Sequence, residues 1–371
     1  MSSYEKKIDK VFLGTVIVLL IIGFIIFISA SMGILAKDSI QFNSIVSRQI
    51  FFGIVSGLIA CFVFSKLDYK IYRRYALLIF LGSIILTSFV FVPGLGTKLN
   101  TFASRWISLF GFTFQPVAIL NIGVIIYWAA WLSSIKERVT TFKFGFMPLL
   151  IIIGIVGALL LKQPDTDSFI IICVTCLSMF LVAGGKKRYV FALGVLGIIC
   201  FAILAFSRPY VMSRLETFIH PEANSQTSGY QIQQSLIAIG SGQVFGKGLG
   251  QSVQKYNFLP ESISDTIFAV LAEEGGFVWC VLIIVIFLFF VFRGFRIAIR
   301  SPDNFGGLLV IGIVILTILQ SFINIASVLG IIPFSGLPLA FFSQGGTAML
   351  MVLAEMGMVL NVSRFGKTFK V

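Results

Sequence analysis

Charged side chains are scarce in this chain: they make up 12% of its 371 residues, where soluble domains carry about a quarter. With 58% hydrophobic residues, too little polar surface remains to cover a soluble globule. Acids are scarcer than bases, 15 against 28, and the net charge is +13. Such a balance can mark a nucleic-acid binder. Here the bases lie in short clusters between apolar runs, as the positive-inside rule places them, so nucleic acid is not an expected partner. The single histidine, His220, sits in a loop with no second ligand near it, which speaks against a metal or catalytic role. The five cysteines fall inside apolar runs, where an extracellular disulfide framework cannot form. Cys173 and Cys176 make a CxxC, but inside IIICVTCLSMF with no partner pair; apolar packing explains them better than metal or redox chemistry. No cleavable leader is expected, because Val11–Ala36 is too long for one and lacks a clean cleavage site.

What the chain has is apolar length. A bilayer span needs about 20 mostly apolar residues. Ten runs are candidates: Val11–Ala36, Ile50–Phe64, Ala76–Val92, Pro116–Leu132, Phe146–Leu161, Ser168–Ala183, Val190–Phe206, Ile267–Phe292, Gly306–Ile331 and Leu337–Val362. Placing the N-terminus in the cytoplasm puts 19 of the 28 basic residues on inside connections, among them Lys6, Lys7 and Lys10, then Lys186, Lys187 and Arg188, and finally Arg364, Lys367 and Lys370. Every inside connection is basic, which predicts ten transmembrane helices with both termini inside. The expected fold is an all-α polytopic membrane protein, a single domain over residues 1–371.

The outside connections are unusual. Pro93–Gln115 is polar and aromatic and carries Lys98, Arg105 and Trp106; Lys162–Asp167 is the acidic turn KQPDTD. Residues 207–265 form a long loop between helices 7 and 8, and a long loop in a compact protein usually carries function. Across its end lies Gly229–Glu274, a polar wedge in an apolar chain. Ile232, Leu236, Ile237 and Ile239 share one side of a helix there, with Gln231, Gln233 and Gln234 opposite, which suits a helix on the membrane surface. Gly240, Gly242, Gly246, Gly248 and Gly250 fit a loop packed close to a sugar or diphosphate, or equally the bends of an interfacial turn.

The ordered motifs resemble the SEDS family, the RodA/FtsW cell-wall polymerases. They include Arg48–Gln49, Leu67–Tyr69, Arg105–Ile107, Phe114–Pro116, Gln163–Asp165, Gly229–Gln231 and Gln234–Gly242. They continue through Gln254–Lys255, Phe258–Glu261, Asp265–Glu274, Gly336–Leu339 and Ser343–Gly346. The uninterrupted GLGQSVQKYNFLPE looks closer to the FtsW branch. The resemblance implies ten helices and a peptidoglycan glycosyltransferase that polymerises lipid II into undecaprenyl-linked glycan. It would act at the outer face of the bacterial cytoplasmic membrane, in division or elongation, beside a class B penicillin-binding protein and membrane lipids. Departures stand beside it. The family's Ser-Glu and following Lys are Val117, Ala118 and Asn121 here, and its His before the loop aspartate is Ile263. A lipid II transporter and a weakened scaffold for the transpeptidase therefore stay open.

Glycan polymerisation needs a base for the acceptor hydroxyl, cations for the diphosphate and room for lipid tails. Asp265 matches the family's essential aspartate and would be the base; read as sequence alone it is as readily a helix N-cap. Lys255, Lys247, Arg214, Arg105 and Arg48 are cations for diphosphate, or side chains snorkelling to headgroups. For Lys37 and Lys98 snorkelling is preferred. Gln163, Asp165, Glu274 and Ser343 complete the expected substrate site. Glu273 and Glu274 fit a buried hydrogen-bonded pair or a cavity wall, and Glu355 is expected to face the bundle interior and pair with a polar group. No metal-ligating residues are read; no cofactor is assigned, and a divalent cation, Mg or Mn, at the diphosphate is left open.

Overall fold

The computed structural model describes residues 8–94, 96–97, 105–109, 112–207, 209–220, 228–256 and 258–366. Lys6, Lys7, Lys98, Lys367 and Lys370 lie outside the described residues. In chain order the helices are α1 (Lys10–Leu35), α2 (Ser39–Arg48), α3 (Ser56–Lys66), α4 (Lys70–Arg74), α5 (Ala76–Ser88), α6 (Val117–Ile135) and α7 (Met147–Lys162). Then come α8 (Thr166–Val182), α9 (Lys187–Ser207), α10 (Pro209–Ile219), α11 (Ser228–Ser241), α12 (Ile267–Ile299), α13 (Asn304–Val328) and α14 (Gly346–Arg364). Each of the ten apolar runs contains a helix. Among the described residues, seven helices are long and apolar enough to cross a membrane by length and composition, and Ala76–Phe91 and Thr166–Val182 are shorter apolar helices. The apolar outer faces, with Phe62 at 64% and Phe292 at 62% exposure, are those of a polytopic membrane protein.

The fold is not wholly helical. Strands β1 (Gly96–Thr97), β2 (Trp106–Leu109) and β3 (Phe112–Phe114) form a small antiparallel sheet in order β1-β2-β3. Its Trp, Ile, Thr and Phe residues are good strand formers, and Ile107, 1% exposed, anchors it. Gln49–Val55 is a π-helical stretch joining α2 to α3, a feature frequent at functional sites. The last run also needs correcting: Leu337–Gly345 is not helical, and α14 starts only at Gly346. Pro338 and the glycines 336, 345 and 346 disfavour helix there.

The eighth run is two helices meeting at a break. Gly276 has φ 67° inside α12, a left-handed geometry that glycine adopts at little cost. The backbone groups freed by the break are taken up by the preceding loop. The amides of Lys247 and Gly248 donate to the carbonyls of Glu273 and Glu274, and those of Phe277 and Val278 donate to Gln243 and Val244. Irregular backbone at such depth requires this kind of satisfaction by protein. The loop glycines therefore serve the break: a Cβ on Gly242 would lie 2.0 Å from the Ala272 carbonyl oxygen.

The core is built around α13, which packs against α6, α8, α12 and α14. Helix α11 forms as expected but presents a different face: Ile232, Ser235 and Ala238 are buried, while Leu236 and Ile237 point outward. At the end opposite Asp265, Arg293 pairs with Asp9 at 2.9 Å, and Asp9 caps α1 by accepting from the Phe12 amide.

Candidate active site

Asp265 sits two residues before α12, on the segment 261–266, which is held from three sides. The Ser343 hydroxyl donates to the Ser264 carbonyl at 2.6 Å and accepts from the Leu339 amide at 2.8 Å. The Gln344 amide donates to the Ile263 carbonyl at 2.7 Å. Asn324 Nδ2 donates to the carbonyls of Asp265 and Leu337, both at 2.7 Å. Gln49, in the π-helical stretch, in turn braces the Ser343 turn: its Nε2 donates to the Ser343 carbonyl and its Oε1 accepts from the Gly345 amide. Ser343 thus appears as a support of the aspartate segment. Ile263, where the family offers His, is 7% exposed and packs into the core.

The Asp265 carboxylate makes no hydrogen bond among the described residues, and Thr266 rather than Asp265 is the N-cap of α12. The capping explanation therefore does not account for it. Burial, first, and the charges of Glu261 and Asp167 push its pKa up to about 7, while Arg105 and Arg214 pull it down. A carboxyl near neutrality suits a general base. Gly336 lies beside it, with its would-be Cβ 3.4 Å from Asp265 Oδ2.

A polar chamber of about 60 Å³ opens next to Gly336, between α6, α8, α13 and α14. Arg105, Gln115, Asn121, Asp165, Gln320 and Glu355 line it. Arg105 donates to the Pro164 carbonyl and stands 3.9 Å from Asp165. Asp165 caps α8 through the Ser168 amide, and burial pushes its carboxyl up against the pull of Arg105. Gln163 is turned away: its Nε2 donates to the Thr87 carbonyl at 3.0 Å, tying α7 to α5. Arg214 pairs with Asp167 at 2.8 Å at the rim of an apolar groove of about 220 Å³, lined by Ile170, Val211, Leu215, Ile323 and Phe334.

Lys255 and Lys247 belong to a second cluster. Lys255 Nζ is fully buried, 2.8 Å from Glu274, and also donates to Ser29 and the Gly250 carbonyl. Lys247 pairs with Glu273 at 2.7 Å. Glu273 also accepts from Ser252 Oγ and the Val253 and Gln254 amides, and Ser29 donates to Glu274. The two glutamates are the buried hydrogen-bonded pair. Gly33 lets α1 close on this knot, since a Cβ there would lie 2.1 Å from the Lys255 carbonyl oxygen. Arg48 is exposed at the end of α2, outside both clusters. The site expected from sequence is therefore divided: Asp265, Arg105, Arg214 and Asp165 come together, whereas Lys255, Lys247 and Glu274 lock the loop to α12.

Glu355 faces the interior, 4% exposed, but among the described residues it makes no hydrogen bond or ion pair, contrary to the expected polar partner. Sequence reading named Gln49 and Asn121 without giving them a place in the site, and it did not single out Gln320 or Asn324. A signal existed for α13: Thr317, Gln320, Ser321, Asn324 and Ser327 recur at helical spacing within an apolar span.

The fold and site define a polytopic helical membrane protein in which Asp265, without a hydrogen-bond partner among the described residues, lies beside Gly336 of a buried chamber. A family model described as cell cycle protein, covering FtsW, RodA and SpoVE, matches residues 9–368, and the chain belongs to this family. It is 36% identical to a probable peptidoglycan glycosyltransferase FtsW of Geobacter sp. (strain M18), over 96% of each chain. It is 36% identical to stage V sporulation protein E of Bacillus subtilis (strain 168), over 99% of this chain and all of the relative. Among solved structures it resembles a chain of a peptidoglycan synthase complex coordinating polymerization and crosslinking, with TM-score 0.78, 22% identity and coverage of 96% and 98%. It also resembles the rod shape determining protein RodA of Thermus thermophilus, with TM-score 0.71, 23% identity and 98% of each chain covered.

Proposed function

We propose that this protein is a peptidoglycan glycosyltransferase that polymerises lipid II at the outer face of the bacterial cytoplasmic membrane. The observation that carries it is the unpaired Asp265 carboxylate, within the fields of Arg105 and Arg214 and beside Gly336 of the chamber, with Arg214 lining the apolar groove. In this reading Asp265 takes the proton of the acceptor sugar hydroxyl. The oxygen so freed bonds to the donor's anomeric carbon, and the bond to the undecaprenyl diphosphate breaks. Arg105 and Arg214 face the charge that develops on the diphosphate, and the groove beside Arg214 takes isoprenoid chain. Lys247 and Lys255 act indirectly, by holding the loop. Among the described residues no three His, Cys, Asp or Glu side chains are grouped to hold a metal. Mg or Mn at the diphosphate would thus take its ligands largely from the phosphates.

The sidedness follows from the basic connections, with ten spans made of the seven long helices together with α5, α8 and α9. A class B penicillin-binding protein is the proposed partner for cross-linking. The test is polymerisation of lipid II by the purified protein with that partner. Asp265→Ala is expected to lose glycan synthesis while keeping the parent's thermal stability. Equal rates for the two proteins overturn the assignment, and would leave lipid transport or scaffolding as the remaining readings.

A further inference from the structure

The chamber beside Asp265 is lined by buried polar groups whose hydrogen-bonding capacity is only partly used. Asp165, which lines the chamber, is 2% exposed, and its buried Oδ2 has no hydrogen-bond partner. Asn121 Oδ1 is likewise buried and unsatisfied. Glu355, from the middle of α14, adds a carboxylate that no described residue neutralises. Gln320 lines the same wall, but its Nε2 donates to the Pro338 carbonyl. Arg105 brings one positive charge, directed at Pro164 and Asp165. Buried acceptors left bare are costly, and a carboxylate inside a span marks a functional position by default. The missing partners are groups that both donate and accept, as a sugar's hydroxyls and N-acetyl group do. Ala118 and Asn121, two of the departures from the family pattern, line this same chamber.

We propose that Glu355 is a substrate-binding residue: with Asn121 and Asp165 it forms the polar floor that seats the uncharged, hydroxyl- and N-acetyl-bearing sugar, leaving the diphosphate to Arg105 and Arg214. This rests on the glycosyltransferase reading. The chamber has room for a few waters, at about 10–15 Å³ each, so a sugar edge enters by displacing water. Losing one buried hydrogen bond of this kind lowers affinity by about tenfold to a hundredfold.

The experiment measures lipid II binding and polymerisation for the full-length protein with its transpeptidase partner. Glu355→Gln keeps the shape and replaces the carboxyl with an amide. It is expected to raise KM and weaken lipid II binding by about tenfold or more, with kcat changed less and the thermal midpoint kept. Binding is also measured in an Asp265→Ala background, which needs no turnover, so the two readings fail separately. Turnover by Asp265→Ala sinks the catalytic reading; unchanged lipid II binding by the Asp265→Ala, Glu355→Gln double variant sinks this one. Undecaprenyl diphosphate, which lacks the sugars, is the control ligand, and its binding is expected to be indifferent to Glu355. An equal loss for both ligands overturns the sugar assignment. If Glu355→Gln itself unfolds, Glu355→Asp decides: restored lipid II binding supports the proposal and its failure overturns it.

Discussion

At the residue scale the chain's chemistry converges on Asp265, whose environment sets a pH dependence. A base must be unprotonated to work. The carboxyl is pushed up to about 7, so the rate of glycan synthesis is expected to rise with pH through about 7 and to fall about tenfold per unit well below it. Glu261→Gln removes a neighbour that raises the Asp265 pKa and should move the midpoint down. Arg105→Gln removes one that lowers it and should move the midpoint up. A pH–rate profile of each variant checks the signs; midpoints that move together, or not at all, would show another group in control. Folding carries the opposite sign. Because the folded carboxyl holds its proton more tightly than the usual value near 3.8, its contribution to stability diminishes as pH rises from there toward 7. Asp265 was legible in the sequence because a motif and a polar wedge marked it. Its setting was not: Asn324, Ser343 and Gln49 act through hydrogen bonds to backbone carbonyls that are distant in sequence, which spacing cannot reveal.

At the element scale the decisive device is the broken helix α12 and the loop that fills it. The apolar run was legible, and so were its glutamates. The break was not, because Gly275 and Gly276 read as two tolerated glycines until the loop's hydrogen bonds are seen. The same geometry reassigns Lys255. Among external cations it looked free to grip a phosphate; in the fold its ammonium is fully buried against Glu274. Removing one member of such a pair leaves an uncompensated buried charge. Lys255→Met is therefore expected to cost about 3–5 kcal/mol, while adding Glu274→Gln should recover part of that loss. Thermal unfolding in detergent measures both. A Lys255→Met protein as stable as the parent, yet unable to bind undecaprenyl diphosphate, would instead return Lys255 to the substrate site.

At the scale of the whole molecule, composition alone reads the class and the number of apolar runs, because membrane insertion is decided by length and hydropathy. It reads less of how many runs cross. α5 has 13 residues and α8 has 17, short for a bilayer, and α9 precedes the connection that carries Arg208 and the loop helices. Each can be tested by the side on which the next connection lies. In a background with the five cysteines replaced, single cysteines go to exposed positions: Glu137→Cys after α6, Lys186→Cys after α8 and Gln251→Cys before α12. If every run crosses, an impermeant maleimide on spheroplasts reaches residue 251 and reaches 137 and 186 only after permeabilisation. If α5 stays on one side, residue 137 is labelled in intact spheroplasts. If α8 fails to cross while the rest do, 186 is labelled and 137 is not. If α9 fails, 251 becomes protected, and Asp265 then lies in the cytoplasm, away from the face where glycan strands are built. That last outcome would refute the proposed polymerase whatever its residues resemble, because a base on the wrong side of the membrane meets no acceptor strand.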